Sequence, residues 1–201
     1  GNDVYEYDYF AQGGGYWLGA GFARDFGGND RRLCSTEKEY DGGYRVQPIF
    51  GRFTCGFGCH YAIGFCFDDK GDDTYGGTIM GLGMGWDMGV GLLCDFGGKD
   101  RYDATGGLTQ GNGAQASIGI LFDYGGDDVY EADYFSHGGG YWCGIGFARD
   151  FGGNDRRLGS TRPGPGCQKA TERLARLIRA GGHKRVGRWR RGRDQAVQHA
   201  F

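Results

Sequence analysis

The chain has 201 residues, 45 of them glycine and only 3 proline, with 15% aromatic residues and a net charge of −2. Glycine at about three times its usual share of about 7%, without a Gly-X-Y period or a proline-rich run, excludes a collagen helix and a polyproline linker; the aromatic content is too high for a disordered glycine tract. No run of 18 apolar residues exists to form a transmembrane helix, the 7 cysteines give no even disulfide framework, and the charge divides into −11 over residues 1–160 and +9 over 161–201.

From Gly1 to about Ser160 a unit of about 27 residues recurs. Its marker is a G-x-D turn at Asp3, Asp30, Asp73, Asp100, Asp128 and Asp155, with spacings of 27, 43, 27, 28 and 27 residues. The units run over 1–27, 28–70, 71–97, 98–125 and 126–152, with a partial unit at 153–160; the second is lengthened by an insertion near 33–50. Residues 1–36 match residues 126–161 at 29 of 36 positions, the trace of a recent duplication. The chain begins with Gly1 inside a repeat, so it reads as a fragment or a processed form, and the lack of a signal peptide says nothing about its compartment.

Each unit holds two extended segments, such as Asp128–Ala132 and Cys143–Phe151. Bulk alternates with period 2, the strand period. One parity carries Met88, Val90, Leu92, Cys94 and Phe96, then Ala116, Ile118, Ile120, Phe122 and Tyr124; the other carries Gly89, Gly91, Leu93, Asp95 and Gly97. A helix is disfavoured, because each glycine costs it about 1 kcal/mol relative to alanine. One unit cannot bury its own apolar face, but stacked units bury all of them. The pattern predicts an all-β fold, a parallel β-solenoid with one coil per unit, large residues in interior ladders and glycines at the corners. At about 4.8 Å per rung it is a rod of roughly 25 Å. Antiparallel hairpins, one per unit, are the alternative, closing into a barrel such as an outer-membrane barrel.

The unit junctions read D-h-G-G-x-D-x-Y or close to it, as in Asp95-Phe96-Gly97-Gly98-Lys99-Asp100-Arg101-Tyr102. Paired carboxylates five residues apart flank the turn: Asp25 and Asp30, Asp68 and Asp73, Asp95 and Asp100, Asp123 and Asp128, Asp150 and Asp155; Asp3 opens the series. Calcium takes six to eight oxygens from carboxylates and carbonyls, and a Gly/Asp turn offers both. If the turns align, carboxylates about 4.8 Å apart repel by roughly 3.5 kcal/mol at an effective dielectric of 20. Such a column must protonate, bind cations or face bulk water. All eleven aspartates are therefore candidate metal ligands, with Ca²⁺ as the candidate cofactor. The plainer reading is that Asp and Gly simply form turns, the carboxylate capping nearby amides. The junction resembles the glycine-rich RTX nonapeptide repeats, G-G-x-G-x-D-x-U-x, which are calcium-bound parallel β-rolls of secreted bacterial proteins. Gly97-Gly98-Lys99-Asp100-Arg101-Tyr102 matches their paired glycines, aspartate and bulky residue, but lacks the third glycine and recurs every 27 residues instead of every nine. The resemblance implies calcium binding between successive coils.

Cys55, Cys59, His60 and Cys66 lie within twelve residues, a hint of zinc. Strand parity places Cys55 and Cys59 on the bulky face and His60 and Cys66 on the other, which favours structural cysteines; Cys94 and Cys143 share the bulky parity. The Gly81–Gly85 and Gly111–Gly113 runs lack the ending and the helix of a phosphate loop. A sugar site, binding or hydrolytic, would use Tyr16-Trp17, Trp86 and Tyr141-Trp142 beside two carboxylates.

After Ser160 arginine replaces tyrosine. Lys169–Ala180 reads as a short amphipathic helix, and the run from Lys184 to Arg193 is basic around Trp189. This tail caps the solenoid's open end, binds nucleic acid or anionic lipid, or follows a frameshift and is not a selected sequence. The sequence favours a non-enzymatic structural or adhesive repeat module, extracellular or on the cell surface where calcium is plentiful. Its expected partners are divalent cations, cell-surface polysaccharide and, through open solenoid ends, further copies of itself.

Overall fold

The computed structural model describes residues 1–7, 10–34, 53–104 and 106–159. They wind into five coils of a parallel β-solenoid. The first coil comprises β1 (Val4–Tyr7), β2 (Gly15–Tyr16) and β3 (Ala20–Asp25); the second β4 (Arg31–Cys34), β5 (Gly58–Cys59) and β6 (Ile63–Asp68). The third comprises β7 (Thr74–Gly77), β8 (Gly85–Trp86) and β9 (Val90–Asp95); the fourth β10 (Arg101–Ala104), β11 (Gly113–Ala114) and β12 (Ile118–Asp123). The fifth holds β13 (Val129–Ala132), β14 (Gly140–Tyr141) and β15 (Ile145–Asp150), and β16 (Arg156–Gly159) begins a sixth.

Each coil contributes one strand to each of three sheets, ordered β1-β4-β7-β10-β13-β16, β2-β5-β8-β11-β14 and β3-β6-β9-β12-β15. Register joins equivalent positions: Gly64, Gly91, Gly119 and Gly146 form one row, and Asp25, Asp68, Asp95, Asp123 and Asp150 another. Among the described residues every strand pairing is parallel, so the predicted solenoid forms and the hairpin or barrel alternative does not. β4 pairs with both β1 and β7, so the ladder runs straight past the lengthened second unit. Most of the predicted insertion, the predicted helix over 169–180 and the basic run lie outside the described residues.

The interior is the reverse of the expected one in the β3-β6-β9-β12-β15 sheet. Gly91, Leu93 and Asp95 point inward and are buried, whereas Met88 and Phe96 are exposed, as are Phe22, Ile118, Tyr124 and Phe151. The reason is the narrowness of the coil. A Cβ on Gly91 would lie 2.0 Å from the carbonyl oxygen of Met84 on the facing wall, and one on Gly119 would lie 1.9 Å from that of Asn112. Backbone meets backbone across the interior, so glycine faces in and bulk is driven out. Where the walls part, Leu82, Leu93, Leu121, Tyr75, Tyr102 and Tyr130 fill the core.

The corner before the long sheet is a two-residue turn in left-handed conformation, and large residues occupy it. Trp17-Leu18, His60-Tyr61, Asp87-Met88, Gln115-Ala116 and Trp142-Cys143 all have φ between 44° and 61°. Gly19 N–H donates to Tyr16 O at 3.1 Å and Gly89 N–H to Trp86 O at 3.1 Å, closing type I′ turns. A non-glycine residue there costs about 1–2 kcal/mol. Bonds between coils offset it: Leu18 N–H donates to His60 O at 3.0 Å, Met88 to Gln115 at 2.9 Å and Ala116 to Trp142 at 3.0 Å.

Candidate metal centre

The long strand of every coil ends on an aspartate, and the Gly-rich turn to the next coil ends on a second one. The strand aspartate holds the turn locally. Asp95 Oδ1 accepts the Gly97 N–H at 2.8 Å, and Asp123 Oδ1 accepts the Gly125 N–H at 2.9 Å. Its other oxygen is held from inside the coil: Asp25 Oδ2 by the Tyr5 hydroxyl at 2.6 Å, Asp95 Oδ2 by Tyr75 at 2.6 Å, and Asp123 Oδ2 by Tyr102 at 2.8 Å and Tyr130 at 2.9 Å. At the same position in the second coil, Arg32 Nη1 lies 2.7 Å from Asp68 Oδ2.

The turn aspartate reaches between coils. Asp73 Oδ1 accepts the backbone N–H of Asp30 at 2.5 Å, Asp100 Oδ1 that of Asp73 at 2.7 Å, Asp128 Oδ1 that of Asp100 at 2.7 Å and Asp155 Oδ1 that of Asp128 at 3.2 Å. The turns stack so closely that a Cβ on Gly98 would lie 1.5 Å from the Gly71 carbonyl oxygen. The second oxygens are the unusual feature. Oδ2 of Asp30, Asp73, Asp100 and Asp128 is buried and has no hydrogen-bond partner. Buried polar atoms are nearly always paired, and an unpaired one costs about 1–3 kcal/mol or more if charged.

All eleven aspartates singled out in the sequence gather into five triads: Asp3–Asp25–Asp30, Asp30–Asp68–Asp73, Asp73–Asp95–Asp100, Asp100–Asp123–Asp128 and Asp128–Asp150–Asp155. Within each triad one oxygen per residue lies within 4.8 Å of the others, and the middle three triads are wholly buried. Oxygens about 2.3–2.6 Å from one calcium ion are themselves no more than about 5 Å apart, so the spacing suits a shared cation. The interior turn aspartates each belong to two triads, which leaves two carboxylates per coil, the charge of one divalent ion. The plainer turn-forming role is present as well, in the amide bonds above.

Burial, then the neighbouring carboxylates, drives Asp30, Asp73, Asp95, Asp100, Asp128 and Asp150 toward the protonated form, whereas against burial the hydrogen bonds from Tyr5 and the Gly27 amide draw Asp25 down. Asp73 and Asp95 are each pushed up to about 7 and Asp100 to about 9. Asp128 is pushed up to about 7 and Asp150, near the end of the described coils, to about 6. Desolvation is the largest cause in each, as expected for a carboxyl leaving water.

The cysteine-rich stretch does not form a comparable centre. Cys55, Cys59 and Cys66 are all buried, and His60 Nδ1 pairs with Asp87 Oδ2. Parity misplaced Cys66, which shares a core cluster with Cys55 because the inward face is the glycine-bearing one. Cys143, assigned to the interior by the same parity, is exposed; Cys94 is buried. Among the described residues the aspartate triads are the groups of three or more ligating side chains within cation range. The exposed Trp17 and Trp142 stand at the corner before the long sheet, and the acidic column at the corner after it.

Fold and site together define a Gly/Asp repeat β-solenoid with an internal acidic column. Comparison with family models, with curated proteins and with solved structures finds no match to this chain.

Proposed function

We propose that the solenoid is a non-enzymatic structural module that binds divalent cations, Ca²⁺ by preference, between its coils. The observation that carries this reading is the row of buried, unpartnered Oδ2 atoms on Asp30, Asp73, Asp100 and Asp128, each within a triad of carboxylate oxygens. Three carboxylates and the carbonyl-rich glycine turn are hard oxygen donors, which suit Ca²⁺ better than a thiophilic metal. An ion would discharge the column and give the orphaned oxygens a partner. The sharing of ligands supports one ion per coil at most, and it supports mutual dependence of neighbouring sites. The RTX-like junction points the same way. Calcium-dependent folding of this kind operates where calcium is millimolar, outside cells or on their surface, in a structural or adhesive role.

The test is calorimetric titration of the full chain with CaCl₂, with thermal unfolding followed by circular dichroism in calcium and in chelator. Binding with a rise in Tm is expected. Absence of both heat and Tm response overturns the proposal. Asp100→Asn, which alters two triads, should lose more bound calcium than Asp95→Asn, which alters one.

A further inference from the structure

The position in the first strand of each coil that faces the strand aspartates is tyrosine in four described strands and arginine in two. Register aligns Tyr5, Arg32, Tyr75, Tyr102, Tyr130 and Arg157. The six form one stack. The Arg32 guanidinium carbon lies 5.2 Å over the Tyr5 ring and 5.0 Å over Tyr75. Tyr75 and Tyr102 stack at 4.9 Å and 3°, Tyr102 and Tyr130 at 4.7 Å and 2°, and Arg157 lies 5.0 Å over Tyr130. Arginine thus replaces tyrosine without disturbing the ladder, at the two copies of the duplicated segment.

The two side chains differ in what they bring to the carboxylates. A tyrosine hydroxyl donates a hydrogen bond and leaves the charge of Asp95 or Asp123 in place. Arg32 brings a full positive charge that cannot be shed. Its side chain is 2% exposed and that of Asp68 0%, so the ion pair at 2.7 Å is fully desolvated. The charge of Arg32 also acts on Asp25 and Asp30 of the first triad and on Asp73, which the second and third triads share. Arg157, whose side chain is 51% exposed, places Nη2 3.4 Å from Asp150 Oδ2 in the last triad, an oxygen that the Tyr130 hydroxyl also holds at 3.1 Å. Among the described residues, only Asp73–Asp95–Asp100 and Asp100–Asp123–Asp128 are wholly buried and without an arginine on their strand aspartate.

We propose that Arg32 and Arg157 are resident cations that stand in for metal where they meet the column, confining divalent-ion binding to the two triads between them. This rests on the cation-binding reading above and adds which triads bind. It also gives the arginines a function: they compensate carboxylates of the triads they touch without a bound ion.

The test is the number of calcium ions bound by the full chain, from titration calorimetry and equilibrium dialysis, with tyrosine-sensitised terbium luminescence as a second readout. The unaltered chain should bind two. Arg32→Tyr, which restores the residue found in most coils, should raise the count, and Tyr102→Arg, which sets a guanidinium against Asp123, should lower it to one. Circular dichroism verifies the fold of each variant; should either fail to fold, the unaltered chain's count still decides. No uptake by the unaltered chain overturns the cation-binding reading itself. Uptake of any number other than two overturns only the role given to the arginines, as do two ions that neither substitution changes.

Discussion

Raising the pH from 5 to 8 in the presence of a chelator should destabilise the solenoid, the opposite of what paired carboxylates usually produce. Asp73, Asp95 and Asp128 are pushed up to about 7 and Asp100 to about 9, while an aspartate in the unfolded chain titrates near 3.9. Between those values the folded chain holds protons that the unfolded chain has released. The stability they contribute is fully present below about pH 4 and is lost as the pH rises through 7 and on toward 9. Each retained proton gives a slope of about 1.4 kcal/mol per pH unit. The carboxyls share triads and titrate as groups; one retained proton is worth about 3 kcal/mol between pH 5 and 7, or roughly 6–12 °C in Tm for a domain of this size. Calcium at a hundredfold excess over its Kd adds about 2.7 kcal/mol per site and needs the ionised form, so in calcium Tm should be higher at pH 8 than at pH 5. Thermal melts followed by far-UV circular dichroism across this range, in chelator and in CaCl₂, measure both trends. A chelated Tm that stays level or climbs between pH 5 and 8 would refute the reasoning.

Tyr75→Phe should cost about 1.5–3 kcal/mol in denaturant unfolding, the value of a hydrogen bond to a charged group. Tyr102→Phe should cost less than half as much, because Tyr130 still holds Asp123 Oδ2 at 2.9 Å; equal losses would contradict the assignment of donors. Gly98→Ala should lower stability by at least about 3 kcal/mol, since its Cβ would meet the Gly71 carbonyl oxygen at 1.5 Å; a neutral result in a thermal melt would mean the turns do not stack this closely. Leu93→Ala should cost about 2–5 kcal/mol as a buried leucine, and Leu92→Ala on the opposite face less than half of that. The reverse order in chemical denaturation would return the bulky parity to the interior.

The architecture and the acidic groups were legible because both depend on spacing. Turn aspartates that recur every 27 or 28 residues must align once the units stack, and a partner five residues earlier is carried along. Facing was not legible in the same way. Placing bulk inside assumes room between the walls, and the 2.0 Å approach at Gly91 is a property of two segments that the sequence does not show together. The left-handed corners were hidden for a related reason: Trp17-Leu18 and Trp142-Cys143 carry no Gly or Asn signal, since bonds to a neighbouring coil hold their conformation. The arginine exchange was visible in principle. Asn29-Asp30-Arg31-Arg32 and Asn154-Asp155-Arg156-Arg157 depart from G-x-D-x-Y only at its last position. What the sequence could not supply was the stack that makes that position the counter-charge of a neighbouring carboxylate.

The left-handed corners also govern how the array holds together over its length. In the third coil Met80, Leu82, Asp87 and Met88 all adopt this conformation, a local penalty of about 4–8 kcal/mol at 1–2 kcal/mol each. A coil by itself is therefore uphill, and its favourable free energy resides in contact with its neighbours, as in a one-dimensional nearest-neighbour chain. A chain of n coils has n − 1 such contacts, so an array has a minimum viable length. Above that length, melting should start at the terminal coils, which are held from one side only. Insertion of one complete repeat then adds a whole contact at once, which makes copying of intact units the mutational step this scaffold tolerates most readily.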